Sequence, residues 1–301
     1  MIPYIDFPGE QSLPPPGELQ EITFYYFAVP ADNETLTALC DRLLNGPSGG
    51  ATAYRPMGLV LLAFTHVEQL GSTHAHRGVI TYKDIALWIP VRGGQSRELC
   101  LFPPYILVDD AATMITGREV FGLPKQLGRF AMPARFGDLA TAPAPQFRAE
   151  IVGTLAPRGQ NDWRTLLTIE RSGDVRAHDP GAILQFLAGF LPAALRGGLS
   201  LPGWLSELTA IPVVGLKQFR DATRPGAACY QAIVEAPLSV VKLHRAPTFM
   251  RDAFELTVMD LHSHPVARTL GLSPSPIRVP LAVHFEATVR MEPGTVVWSA
   301  P

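Results

Sequence analysis

Lysine is scarce in this chain: of 25 basic residues only Lys83, Lys125, Lys217 and Lys242 are lysines, and the rest are arginines. Charge as a whole is thin. Charged residues make up 17% of the 301, below the usual quarter, against 47% hydrophobic. A chain so composed either fills a large interior or covers apolar surface by assembling, which predicts a homo-oligomer. The net charge of −2 offers no electrostatic means of capturing nucleic acid or an anionic membrane, so neither is expected as a partner. Cysteine is almost missing. Cys40, Cys100 and Cys229 stand far apart with no Cys-x-x-Cys pair, which argues against a disulfide framework or a cysteine zinc site and predicts reduced, buried thiols in a cytoplasmic protein. No run of about 18 apolar residues is present to span a bilayer, and residues 1–6 lack the basic-then-apolar order of a signal peptide. The glycines at 46–50 come without a lysine or Gly-x-Gly-x-x-Gly order, so no phosphate loop is expected. Gly-x-Ser-x-Gly is absent too, which leaves serine hydrolysis without support.

Proline is plentiful at the start. Residues 1–19 carry Pro3, Pro8, Pro14, Pro15 and Pro16 and read as an irregular arm, either a frayed tail or a grip on a neighbouring subunit. Residues 20–301 read as a single domain, with no repeats and no linker. The β-branched and aromatic run at 22–29 predicts a strand that Pro30 ends. Asp32 or Asn33 can cap a short helix that puts Leu36, Leu39, Cys40 and Leu43 on one face. Residues 57–66, 82–91 and 99–108 predict three more strands, the first apolar on both faces. Asp109 or Asp110 then caps a helix through Ala111, Met114, Ile115 and Arg118, which Gly122 and Pro124 stop. Lys125 therefore begins or precedes a strand just beyond a helix end. Further strands are expected at 147–154, 162–170, 210–219, 230–244, 253–261 and 281–290, with one apolar helix near 181–195. Many strands with tight turns and few helices predict a mainly β (α+β) fold, an antiparallel barrel or sandwich.

Lys125 follows a proline in Gly117-Arg118-Glu119-Val120-Phe121-Gly122-Leu123-Pro124-Lys125-Gln126-Leu127-Gly128. An ammonium with an ordinary pKa of about 10.4 is less than ~0.1% free amine at neutral pH. Burial among apolar groups disfavours the charged form and lowers the pKa, by as much as ~3–5 in full burial. The neutral amine is then a nucleophile that forms a Schiff base with a ketone. The plainer alternative is a lysine whose stem packs on apolar residues while its head reaches water.

The pattern Gly-Arg-Glu-x-x-Gly-x-Pro-Lys resembles the active-site segment of the acetoacetate decarboxylase superfamily, whose lysine forms an imine with a β-keto acid. The likeness extends through Tyr82-Lys83-Asp84-Ile85-Ala86-Leu87-Trp88-Ile89-Pro90-Val91 and Leu101-Phe102-Pro103-Pro104-Tyr105-Ile106-Leu107-Val108-Asp109-Asp110, and onward to Val213-Val214-Gly215-Leu216-Lys217-Gln218-Phe219 and Ser263-His264-Pro265. It implies an antiparallel cone-like β-barrel with helices packed outside, a small-molecule keto acid as substrate, and a covalent imine on Lys125 in place of any cofactor. Asp84 corresponds to the family's acid two residues after a strand tyrosine, here Tyr82, with the carboxylate one methylene shorter. In the decarboxylases a second lysine follows the reactive one and depresses its pKa; here Gln126 stands there. A like charge at about 4 Å and an effective dielectric near 20 is worth about 4 kcal/mol, so its loss leaves burial as the main lever. Gln126 could instead hydrogen-bond a substrate carbonyl. The decarboxylases' N-terminal arginine falls near Glu21 and a second glutamate near Leu61, so two polar positions differ.

Arg118 could hold a keto acid's carboxylate through its fork, and Glu119 is either a substrate contact or half of an ion pair locking the helix end. His262 and His264 would share one face of a strand, but the sequence supplies no further ligands and a metal is not expected. Glu286 is a possible cavity acid, though a strand-face acid fits its surroundings as well. Three functions fit: a Schiff-base lyase that decarboxylates a β-keto acid, an aldolase-dehydratase condensing pyruvate with an aldehyde through the same lysine, and a non-catalytic barrel that binds an apolar metabolite. Gln126 favours the second over the first.

Overall fold

A computed structural model gives the fold, and the structure describes residues 3–75, 77–94, 99–152, 162–172 and 210–301. Its strands in chain order are β1 (Gly17–Pro30), β2 (Arg55–Pro56), β3 (Leu59–Ser72), β4 (Ile80–Arg92), β5 (Leu99–Val108), β6 (Lys125–Ala131), β7 (Phe147–Val152), β8 (Trp163–Ser172), β9 (Ala210–Arg220), β10 (Ala228–Phe249), β11 (Ala253–Val258), β12 (Ile277–Val279), β13 (Leu281–Met291) and β14 (Thr295–Ser299). The α-helices among the described residues are α1 (Asn33–Cys40), α2 (Ala111–Phe121) and the single turn α3 (Val266–Thr269). The fold is mainly β, as the turn-punctuated apolar runs predict. The apolar helix expected near 181–195 lies outside the described residues.

The pairings β4–β5–β9–β10–β13–β1–β3 return to β4, so seven strands close on themselves. A second layer, β6–β7–β8–β11–β12, leaves this circuit where β6 pairs with β5. The expectation of three buried thiols fails at Cys229, which is exposed, and the expectation of an antiparallel sheet holds for all pairings but two. β5 runs parallel to both β6 and β9, and between β5 and β6 the chain returns to the same end through α2.

Strand alternation divides the interior in two. Along β1, Tyr25, Phe27 and Val29 point into a core shared with the second layer, where Phe27 meets Phe147 at 4.9 Å and Phe254 at 5.3 Å, both edge to face. Leu19, Ile22, Phe24 and Tyr26 point the other way, into a cavity within the strand circuit. The spacing from Leu19 to Ile22 breaks the two-residue period because β1 bulges there. Glu21 takes up the extra residue at φ 52°, and without it one half of β1 would turn its apolar side chains outward. β3 is buried on both faces for the same reason: Leu62 and Phe64 enter the core, and Thr65 enters the cavity.

Candidate active site

Lys125 is positioned by a helix end. Asp110 caps α2, its carboxylate accepting the Thr113 N–H at 2.8 Å. At the other end Gly122 adopts φ 71° and the Leu123 N–H reaches back to the Gly117 carbonyl at 2.9 Å, the glycine-terminated closure that stops a helix. A side chain at Gly122 would run into the backbone of Lys217 on β9, so the turn needs glycine for space as well as for its backbone angle. Pro124 then turns the chain into β6, whose first residue is Lys125. Both backbone groups of Lys125 are held: its N–H donates to the Leu123 carbonyl at 2.8 Å, and its carbonyl accepts from Arg118 Nη1 at 3.2 Å.

The Lys125 side chain enters the cavity, which measures about 120 Å³. Its stem lies along α2 where Gly117 has no side chain, and a methyl there would come within 2.8 Å of Lys125 Cε. Lys125 Nζ stands 5.5 Å from the centre of the Tyr82 ring. Tyr82 and Asp84, two apart on β4, project from the same face and line the same cavity. Thr65, directly across from Asp84 on β3, hydrogen-bonds the Asp84 carboxyl. The remaining wall is overwhelmingly apolar.

The electrostatics follow from that wall. Burial pushes the Lys125 amine below its ordinary pKa, and the carboxylates of Asp84 and Asp110 oppose this without reversing it. Burial pushes Asp84 up to about 6, against the Lys125 charge and the Thr65 hydrogen bond. Tyr82 is raised as well, by burial and then by Asp84, and so stays a neutral hydroxyl. An amine moved down and an acid moved up thus share one apolar cavity, the kind of pairing that acid–base chemistry draws on. Among the described residues no three His, Cys, Asp or Glu side chains cluster as metal ligands.

The other sequence candidates lie elsewhere. Gln126 does not line the cavity: as the next residue on a strand it points to the opposite face, where its carboxamide oxygen meets His264 Nε2 at 2.8 Å. Arg118 binds the Lys125 backbone instead of reaching inward, so it orders the strand start and does not stand where it could clamp a carboxylate. Glu119 acts on Lys217, whose pKa burial lowers and Glu119 raises. His262 and His264 belong to a turn joined by one isolated bridge, Leu261 to His264, and share no strand face. Glu286 neighbours His284 at 3.5 Å and Arg245 at 3.3 Å outside the cavity lining. Glu21 is exposed on the β1 bulge and Leu61 is buried beside Trp88, so neither position brings charge to Lys125.

Two contributors escaped the sequence reading. Thr65 is one hydroxyl in an otherwise apolar run, and that isolation was the available signal. Leu13 lines the cavity from the N-terminal arm, its backbone N–H donating to Thr116 Oγ1 on α2 at 2.9 Å. The arm is further tied by Ser72 Oγ to the Pro14 carbonyl at 2.6 Å and by Arg77 to Asp6 at 2.8 Å.

A sequence profile described as acetoacetate decarboxylase matches residues 2–299. No curated protein gives a significant match. Among solved structures, the acetoacetate decarboxylase of Legionella pneumophila subsp. pneumophila str. Philadelphia 1 superposes with a TM-score of 0.58 at 15% identity, over 95% of this chain and 88% of that one. The enduracididine biosynthesis enzyme MppR, complexed with the condensation product of pyruvate and imidazole 4-carboxaldehyde, gives 0.54 at 17% identity, over 95% and 91%. An acetoacetate decarboxylase-like enzyme from Sphingomonas wittichii RW1 gives 0.50 at 16% identity, over 95% and 93%. At such identities the superpositions show a shared fold.

Proposed function

The chain belongs to the acetoacetate decarboxylase family of enzymes, and on that premise we propose that it is a Schiff-base lyase that decarboxylates a β-keto acid on Lys125. The observation that carries this reading is the convergence of Lys125 and Asp84 in one apolar cavity, with the amine's pKa lowered and the acid's raised to about 6. The closed strand circuit is, in this reading, the cone-like barrel of the family.

The Lys125 amine attacks the ketone carbon, and a proton from the Asp84 carboxyl lets the carbonyl oxygen leave as water. The product is an iminium beside the substrate's carboxylate. Breaking the bond to that carboxylate releases carbon dioxide and moves the electron pair into an enamine, neutralising the iminium charge. An apolar wall favours this step because two charges disappear in it. The enamine carbon then takes a proton, delivered through Asp84, and water hydrolyses the resulting iminium to free the ketone and the amine. One proton per turnover enters from solvent, as replacing a carboxylate by a C–H bond requires.

An aldolase-dehydratase is the second reading. MppR, of like fold, has been captured with a condensation product of pyruvate and an aldehyde. Borohydride in the presence of 3-oxobutanoate or pyruvate tests the shared step: an adduct mass on Lys125, absent in Lys125→Ala, is expected. Absence of any adduct would refute both chemistries. Release of carbon dioxide from 3-oxobutanoate, against formation of an enone from pyruvate plus an aldehyde, separates them.

A further inference from the structure

We infer that the β-keto acid processed here carries a hydrocarbon chain of several carbons on its ketone, and that the cavity running away from Lys125 along β1 receives that chain. The inference rests on the Schiff-base reading above and concerns which substrate that site takes.

Strand register fixes the geometry. Asp84, Thr65 and Phe24 stand side by side on β4, β3 and β1, which marks the level of the reacting groups. Towards the start of β1 the next inward residues are Ile22, paired to Val67 and Ala287, then Leu19, paired to Leu70 and Val289. Gly17 follows, opposite Met291, and Met291 itself faces Leu238 on β10. Ile22, Leu19, Leu70, Val289, Met291 and Leu238 all line the cavity. Phe24 to Gly17 is seven residues, or about 20 Å of strand. Leu13, only 7% exposed, closes onto the same tract from the arm.

The three threonine hydroxyls that line the cavity are already engaged. The Thr116 hydroxyl accepts the Leu13 N–H, the Thr113 hydroxyl donates to the Asp110 carbonyl at 2.9 Å, and Thr65 serves Asp84. Lys125 is the one cation among the described residues that line the cavity. Its iminium can pair with the single carboxylate that is about to leave. A second charge or a hydroxylated chain reaching past Tyr82 would lie against leucine, valine and methionine with nothing to replace its water. An alkyl chain would instead gain by leaving water, at about a fourfold effect per methylene.

The test is a homologous series on the native enzyme: 3-oxobutanoate, 3-oxohexanoate and 3-oxooctanoate, with kcat/KM for carbon dioxide release corrected for spontaneous loss, and borohydride adducts on Lys125 weighed for each. The inference expects kcat/KM to rise about tenfold or more per two methylenes until the tract is filled. Leu19→Phe, which narrows the tract on a strand that tolerates aromatics, should cut the preference for the eight-carbon over the four-carbon acid at least tenfold. Adducts throughout the series with a flat or falling kcat/KM would overturn the chain-binding inference and leave the Schiff base standing. No adduct with any member would overturn the Schiff base and this inference with it. A chain-length profile unchanged in folded Leu19→Phe would show that the tract does not hold the chain.

Discussion

Gly117→Ala separates the reactive geometry of Lys125 from the stability of the fold. A methyl at this position would press hardest on Lys125 Cδ and would stand 2.8 Å from Cε and 3.0 Å from Cγ, where carbon atoms rest at about 3.5–4.0 Å. The backbone of α2 is fixed by its cap and by the glycine closure, so the lysine stem is what gives way, by about 1 Å. A displacement of that size at a reacting atom costs about 100-fold in rate, or about 2.7 kcal/mol of barrier. The same substitution puts a better helix former inside α2, worth up to ~1 kcal/mol in favour of folding. Activity and stability should therefore part company: the rate of borohydride trapping on Lys125 and kcat/KM both fall about 100-fold, while the thermal midpoint holds or rises by a degree or two. Trapping by intact mass against time, alongside a thermal melt, reads both. A variant that traps within about threefold of the native rate would refute the claim that Gly117 leaves room for the stem, and a lowered midpoint would show that α2, and not the side chain, had moved.

The pH profile of kcat/KM should be bell-shaped, because the Lys125–Asp84 pair works while it holds one proton. Below about 6 Asp84 takes up its proton while Lys125 is still an ammonium, and above the lowered Lys125 value, somewhere under 10.5, the pair has none left to give; a rate rising steadily to pH 10 would contradict this. Asp84→Asn removes the carboxylate that raises the Lys125 pKa, so the midpoint for trapping should move to lower pH while turnover drops about 10²–10⁴-fold; a midpoint moving up would defeat the assignment. Gln126→Ala should leave trapping within about threefold and cost about 1–2 kcal/mol in a denaturant melt through the lost His264 hydrogen bond; a hundredfold loss of activity would return Gln126 to the site. Glu21→Gly should stabilise the fold by up to ~1 kcal/mol by relieving a left-handed side-chain residue, and a lower melting point would count against strain at the bulge.

The parts of the site that repeat with strand period were legible in the sequence. Tyr82 and Asp84 share a face because they are two apart, and the helix stop at Gly122-Leu123-Pro124 announced that Lys125 would begin a strand. The same alternation undid the expectation for Gln126, since adjacency in a strand means opposite faces. Arg118 was misjudged for another reason: at a helix end its guanidinium found a backbone carbonyl seven residues on, a partner that no residue pattern encodes. Thr65 met Asp84 only through the β3–β4 register, and Leu13 reached the cavity from an arm whose prolines concealed its docking. The β1 bulge at Glu21 also lay beyond pattern reading, because an inserted residue looks like a lapse of period until both flanking strands are seen. The two parallel pairings of β5 depend on how the chain travels between strands, which local propensity does not report.

The docking of Leu13 against Thr116 has a practical corollary. The helix that steadies Lys125 also anchors the arm, so a change at Leu13 would be felt at the cavity wall. A preparation trimmed through residue 13 should therefore be compared with untrimmed enzyme before its kinetics are believed.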